Sequence, residues 1–174
     1  MKSNIVLIGM PGAGKSSIGV VLAKVLGYGF VDSDLVIQNV EKRLLKEIIE
    51  QEGHDGFIRV ENRINSGIDA DRSVIATGGS VIYGGEAMRH LASIGTVVYL
   101  SASYETINSR LSNLEGRGVA MRDGQTLLDL YNERAPLYER YADITVKLDG
   151  LTIEEAVRGL KQRIAPFLRQ NVTK

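Results

Sequence analysis

The chain has 174 residues, no cysteine, 44% apolar and 24% charged residues, and basic and acidic totals that cancel at 21 each. At this length a single domain spanning 1–174 is expected, and the balanced charge excludes a global field that would draw nucleic acid or an anionic membrane, so any attraction for phosphate must be local. A disulfide frame and a thiolate metal site are excluded, no apolar run approaches a membrane span, and Met1-Lys2-Ser3 leads straight into an apolar run without a signal-peptide pattern, so a cytoplasmic protein is expected.

Asn4-Ile5-Val6-Leu7-Ile8 is short, apolar and β-branched, and reads as a buried strand. Gly9-Met10-Pro11-Gly12-Ala13-Gly14-Lys15-Ser16 follows at once and fits the P-loop pattern. Ile18, Val21, Leu22, Val25 and Leu26 then recur at the spacing of a one-faced helix that Gly27 closes. Strand, glycine-rich loop and helix therefore stand in the order that a phosphate cradle requires. The glycines let main-chain N–H groups converge, and the helix adds its positive end. Lys15 supplies a mobile charge for the β and γ phosphates, and Ser16 a hydroxyl for magnesium.

Tyr28-Gly29-Phe30-Val31 predicts a second strand ending in Asp32-Ser33-Asp34, two carboxylates where ligands of open parallel sheets gather. Either aspartate is also a natural cap for the next helix, and the two roles are compatible. Helical patterning continues from about 35 to 70 with a break at Gly53 to Gly56, more helix than one crossover needs. It reads as an inserted flap carrying Arg59 and Glu61, with His54 as a solvated residue in the break. Ser73 to Thr77 predicts a third strand running into Gly78-Gly79, where a ligand can approach the backbone closely. A short helix near Glu86 to Leu91, a strand from Thr96 to Leu100 and a helix capped by Ser103 come next. Residues 113–124 lose periodicity and hold Gly116, Arg117, Gly118 and Arg122, a composition suited to a lid. A helix through Leu127 and Tyr131 reaches Asn132-Glu133-Arg134-Ala135-Pro136-Leu137-Tyr138, where Pro136 is expected to bend or restart it. A fifth strand at Asp143 to Lys147 and a last helix with Ile153, Val157, Leu160 and Ile164 on one side complete an α/β chain with a parallel sheet.

Taken together, these motifs resemble the shikimate kinase family, within the nucleoside-monophosphate-kinase-like branch of P-loop folds, over nearly the whole length. The marks are the P-loop at 9–16, Asp32-Ser33-Asp34, Phe57 to Glu61, Ala76-Thr77-Gly78-Gly79, Arg117, and the run from Asn132 to Tyr138. The resemblance implies a three-layer α/β/α P-loop kinase fold with a five-stranded parallel sheet, a helical substrate-binding flap and a lid loop. It implies ATP-dependent phosphoryl transfer to a hydroxyl of a small carboxylated polyol, shikimate first, with Mg2+ required and a monomer expected. Carried over by residue, Gly12, Ala13, Gly14, Lys15, Ser16 and Ser17 hold the ATP phosphates, Arg110 stacks on adenine, and Arg117 swings in from the lid. Ser16 holds magnesium together with Asp32, Asp34 meets the acceptor hydroxyl, Gly78 and Gly79 bind substrate, and Arg134 pairs with its carboxylate. Lys15, Asp34 and Arg117 are the catalytic set.

Three positions depart from the family pattern. Ile58 stands where the family carries a carboxylate-clamping arginine, Ser80 replaces a third glycine, and Gly118 loosens the lid. Arg59 is the flap's candidate acceptor-binding cation, although one helical position turns a side chain by about 100°. An altered acceptor pocket behind an intact ATP half is the expectation. A kinase of another small metabolite or nucleoside, or a nucleotide-binding homologue without this activity, remains the alternative.

Overall fold

The computed structural model describes residues 2–112, 120–122 and 124–169. Its centre is a parallel sheet of five strands: β1 (Asn4–Ile8), β2 (Gly29–Asp32), β3 (Ser73–Ala76), β4 (Gly95–Ser101) and β5 (Ile144–Lys147), in spatial order β2-β3-β1-β4-β5. All five residues of β1 are buried, which is why that strand is an unbroken apolar run rather than an alternating one. Between the strands lie α1 (Lys15–Leu26), α2 (Ser33–Glu41), α3 (Leu45–Asn65), α4 (Gly85–Ile94), α5 (Tyr104–Ser112), α6 (Leu127–Tyr141) and, at the end, α7 (Ile153–Arg169). Helices α1 and α7 pack together on one face, while α4 and α6 lie against β4 on the other.

Register places the chemistry. Asp32 pairs with Ala76, and Ala76 with Leu7, so the three chains leave the sheet at the same level and on the same edge. The P-loop, Ser33-Asp34 and Thr77-Gly78 are their immediate continuations. Because β1 has β3 on one side and β4 on the other, this edge is also the switch point where an open α/β sheet forms its crevice.

Helices α2 and α3 form the expected flap around a small core of their own: Ile37, Ile48, Phe57 and Ile64, joined by Ala120 from beyond α5. The anticipated break is confined to Gly53, whose φ of 70° only glycine adopts without strain, and Gly56 is already helical. Pro136, expected to bend or restart the helix, does not restart it: α6 runs through it as a single element. Its buried Leu130, Arg134 and Tyr138 hold it in place, so packing outweighs the missing hydrogen bond. The three-residue 3-10 turn Val81–Tyr83 has no counterpart in the expectations.

Candidate functional site

The P-loop closes on itself before any ligand is considered. Gly14 is the N-cap of α1 with φ 95°, a left-handed conformation that frees the first N–H groups of the helix to point into the loop. Lys15 is buried and donates from Nζ to the carbonyls of Gly9 (2.7 Å) and Met10 (2.9 Å). Burial pulls its ammonium down to about 8, against the raising effect of nearby Asp34. Ser16 Oγ donates to Asp32 Oδ2 at 2.9 Å, while Asp32 Oδ1 accepts the Asp34 N–H at 3.0 Å. Asp32 therefore caps α2 and faces the P-loop at once.

Of the residues expected to act together, Gly12, Lys15, Ser16, Asp32, Asp34 and Gly79 line one cleft of about 680 Å3, and Arg134 does not. Ser33, which sequence reasoning passed over, is buried and ties the two walls, its Oγ accepting the Gly78 N–H at 3.2 Å. The glycine pair is required by space. A Cβ on Gly78 would press on the carboxylates of Glu61 and Asp34, and one on Gly79 would sit 2.7 Å from the Pro11 ring and 3.2 Å from the Arg134 guanidinium.

Arg134 is only 1% exposed. It donates from Nη2 to the Ala120 carbonyl at 2.8 Å and from Nε to the Tyr83 hydroxyl at 3.4 Å, and its guanidinium lies 5.3 Å from the Tyr83 ring centre. Among the described residues it forms no ion pair. Tyr83 in turn donates to Glu133, which also accepts from Gln125 at 2.9 Å and pairs with Arg122 at 3.4 Å. Tyr138 donates to the Gly79 carbonyl and stacks on Tyr99, so the floor beneath the glycines is braced by aromatic rings. No sequence signal pointed to Tyr83, and Tyr138, although it ends the Asn132 to Tyr138 motif, carried no expected role; a tyrosine in a turn or a helix looks like any core residue.

Glu61 is the second buried charge. It accepts from Ser80 Oγ at 2.5 Å through Oε2, while Oε1 has no hydrogen-bond partner among the described residues, and burial pushes its carboxyl up to about 7. Its folded value lies above the ordinary 4.5, so the stability it contributes is complete below 4.5 and is lost as pH rises through about 7. Glu61→Gln should therefore raise the unfolding free energy measured by urea titration at pH 8, by up to about 3 kcal/mol, and leave it nearly unchanged at pH 4.5. Equal effects at both pH values would remove the buried carboxyl as the cause.

Several expected residues fall elsewhere. Arg59 is exposed and does not line the cleft, because the helix stays regular after Gly53 and its inward positions belong to Phe57, Glu61 and Ile64. His54, expected in solvent, has a side chain only 11% exposed, hydrogen-bonded to Asp55 at 2.9 Å and edge-on to Tyr83. Arg110 donates to the Gly12 and Ala13 carbonyls at 3.2 and 3.3 Å and borders a second, more apolar cleft of about 470 Å3 with Leu148, Leu151 and Ile153, continuous with the P-loop. Arg117 and Gly118 lie outside the described residues.

The chain is similar to known proteins over most of its length. The family model for shikimate kinase matches residues 11–165. The chain belongs to the shikimate kinase family. Relatives described as shikimate kinase include those of Gloeobacter violaceus, 38% identical over 93% of this chain and 94% of its own length, and of Francisella tularensis subsp. holarctica, 40% identical over 95% and 94%. Among solved structures, the shikimate kinase from Acinetobacter baumannii in complex with shikimate superposes with a TM-score of 0.79 at 32% identity, covering 100% of this chain and 97% of that one. Membership of a kinase family that uses ATP follows, as does the P-loop kinase fold with its five parallel strands. No helix among the described residues is long and apolar enough to cross a membrane.

Proposed function

We propose that this chain transfers the γ-phosphoryl group of ATP to the 3-hydroxyl of shikimate, giving 3-phosphoshikimate and ADP. The observation that carries the acceptor half is Arg134: a guanidinium buried beside Gly79 with no ion pair among the described residues, a costly arrangement that an anionic ligand relieves. The neighbour bound to shikimate makes a cyclic hydroxy-carboxylate the natural candidate.

In this reading Lys15 and the amides of Gly12, Ala13, Gly14, Ser16 and Ser17 hold the phosphates, and the apolar cleft beside Arg110 takes the adenine. Asp34 orients the acceptor hydroxyl or takes its proton, the Gly78-Gly79 backbone allows the ring to approach, and Arg134 binds the carboxylate. Arg117 belongs to the same proposal as the lid cation. Phosphoryl transfer through a loose transition state asks for alignment and charge neutralisation more than for covalent help.

The donor set fits magnesium. Ser16 Oγ and Asp32 Oδ2 are oxygen ligands 2.9 Å apart at the cleft, and the described residues hold no larger cluster of metal-binding side chains. Mg2+ is commonly bound by one or two protein oxygens while water and phosphate complete its shell. Ser16 and Asp32 would hold the ion, and it would supply charge neutralisation at the phosphates.

Purified protein with magnesium-ATP, offered shikimate and then a panel of hydroxy acids, polyols and nucleosides, should release ADP with shikimate at about 1–100 per second. ATP binding without acceptor-stimulated ADP release across the panel would sink the proposal. Ile58→Arg should lower the KM for shikimate by about tenfold, ~1.4 kcal/mol, by restoring a second cation for the carboxylate. An unchanged KM would leave that carboxylate to Arg134 alone.

A further inference from the structure

Most cations of the flap are already engaged. Arg43 is paired with Glu41 at 2.8 Å and Glu52 at 3.2 Å, Arg63 with Glu41 at 2.6 Å, and Lys42 donates to Asn39 at 3.1 Å. Lys46 is not. It is exposed, has no hydrogen bond or ion pair among the described residues, and lines the cleft opposite the P-loop beside Gln38, Leu44 and Leu45. It is the one flap cation among the described residues to do so. Its place in the first turn of α3 adds positive charge to the positive end of a helix, so local helix energetics do not favour it there.

The turn that carries Lys46 is fixed. Gln38 Oε1 accepts the Leu45 N–H at 3.2 Å, Glu47 Oε2 accepts the Leu44 N–H at 2.7 Å, and Ile48 and Leu45 pack into the flap core. Only the four-carbon stem of the lysine is free to swing, which gives its ammonium reach without a moving backbone. The charged side chains lining the cleft are Lys15, Asp32, Asp34 and Lys46, and without the last the balance would be negative. Lys15 is meanwhile held by two carbonyls on the far wall. The cleft that Lys46 enters is the one built from Gly12 to Ser17; Arg134 and Glu61 do not line it.

We infer that Lys46 reaches across this cleft to the terminal phosphate of the bound nucleoside triphosphate, as a cation contributed by the flap that distinguishes triphosphate from diphosphate and balances the charge of the phosphoryl group as it moves. The inference rests on reading the P-loop cleft as the ATP site. Charge spread over the oxygens of the transferring group is what such a contact stabilises, and none of it is present once ADP is formed.

The test compares the full chain with Lys46→Ala and Lys46→Arg in the presence of Mg2+, titrating ADP and the β,γ-imido analogue of ATP by calorimetry and following turnover with shikimate. Lys46→Ala should weaken the analogue about tenfold, leave ADP within about twofold, and lower kcat about 10- to 100-fold, with most of both losses restored by arginine. Equal weakening of both nucleotides, no weakening, or a change confined to the KM of shikimate would each overturn the assignment. If the unaltered protein bound neither nucleotide, the reading of the cleft itself would fall; unaltered binding by Lys46→Ala alongside normal binding by the parent protein would sink only the role of Lys46.

Discussion

Lys15→Met should lower kcat by about 100- to 1,000-fold, ~3–4 kcal/mol of transition-state stabilisation, while the fold persists because the methionine stem fills the same buried space. The side chain waits with its Nζ on the Gly9 and Met10 carbonyls and with its ammonium pulled down to about 8 by burial, so nucleotide entry exchanges two neutral acceptors for phosphate oxygens. That exchange has a proton signature. A group depressed in the free protein titrates back upward when an anion arrives, so ATP binding at pH 8 should take up protons, and kcat/KM should fall as pH rises through about 8. Calorimetry in buffers of different ionisation enthalpy measures the uptake. The Lys15→Met variant should show none, and an identical uptake in both would assign the proton to another group. The same depression acts on stability with the opposite sense to that of Glu61. Its contribution is present above the ordinary 10.5 and is lost as pH falls through about 8.

Arg134→Met should weaken the acceptor by about 2–5 kcal/mol, tens to thousands of times in KM, yet change the melting temperature little. The two halves of that expectation share one cause. A guanidinium at 1% exposure without an ion pair costs the fold its desolvation, offset in part by Tyr83 and the Ala120 carbonyl, and recovers the cost when a carboxylate arrives. A buried cation kept only for packing would behave in the reverse way, with a large fall in stability and an unaltered KM. Steady-state kinetics with shikimate and a thermal melt of the same sample separate the two.

Much of this site was legible in the order of residues. The unbroken apolar run of β1, the glycines after it and the helix spacing beyond depend on contacts between near neighbours, so pattern alone placed Lys15 and Ser16. Asp32 and Asp34 were legible for the same reason: a short strand ending in carboxylates has one edge at which to present them. Arg134 was singled out by its surrounding motif, but its burial without an ion pair was not visible, since burial depends on α6 meeting the 3-10 turn at Tyr83 and residue 120 from another stretch of chain. Pro136 does not end α6 because buried anchors on both sides of it, Leu130, Arg134 and Tyr138, carry the helix through. His54 and Arg59 exchanged their expected surroundings because the kink at Gly53, narrower than anticipated, determines which face of α3 turns inward.

By itself, then, the sequence determined the strand-loop-helix that cradles phosphate, the parallel α/β class and the family. The first two follow from periodicity and backbone permissiveness over a few residues, where the chain has little choice, and the family from the resemblance of motifs spread along nearly its whole length. Tertiary structure alone decided that Ser80 meets Glu61, that Tyr138, stacked on Tyr99, braces the floor under Gly79, and that Lys46 lines the cleft from the flap. Such pairings join residues far apart in the chain, and their energies depend on burial and distance, which only the packed sheet and its flap supply.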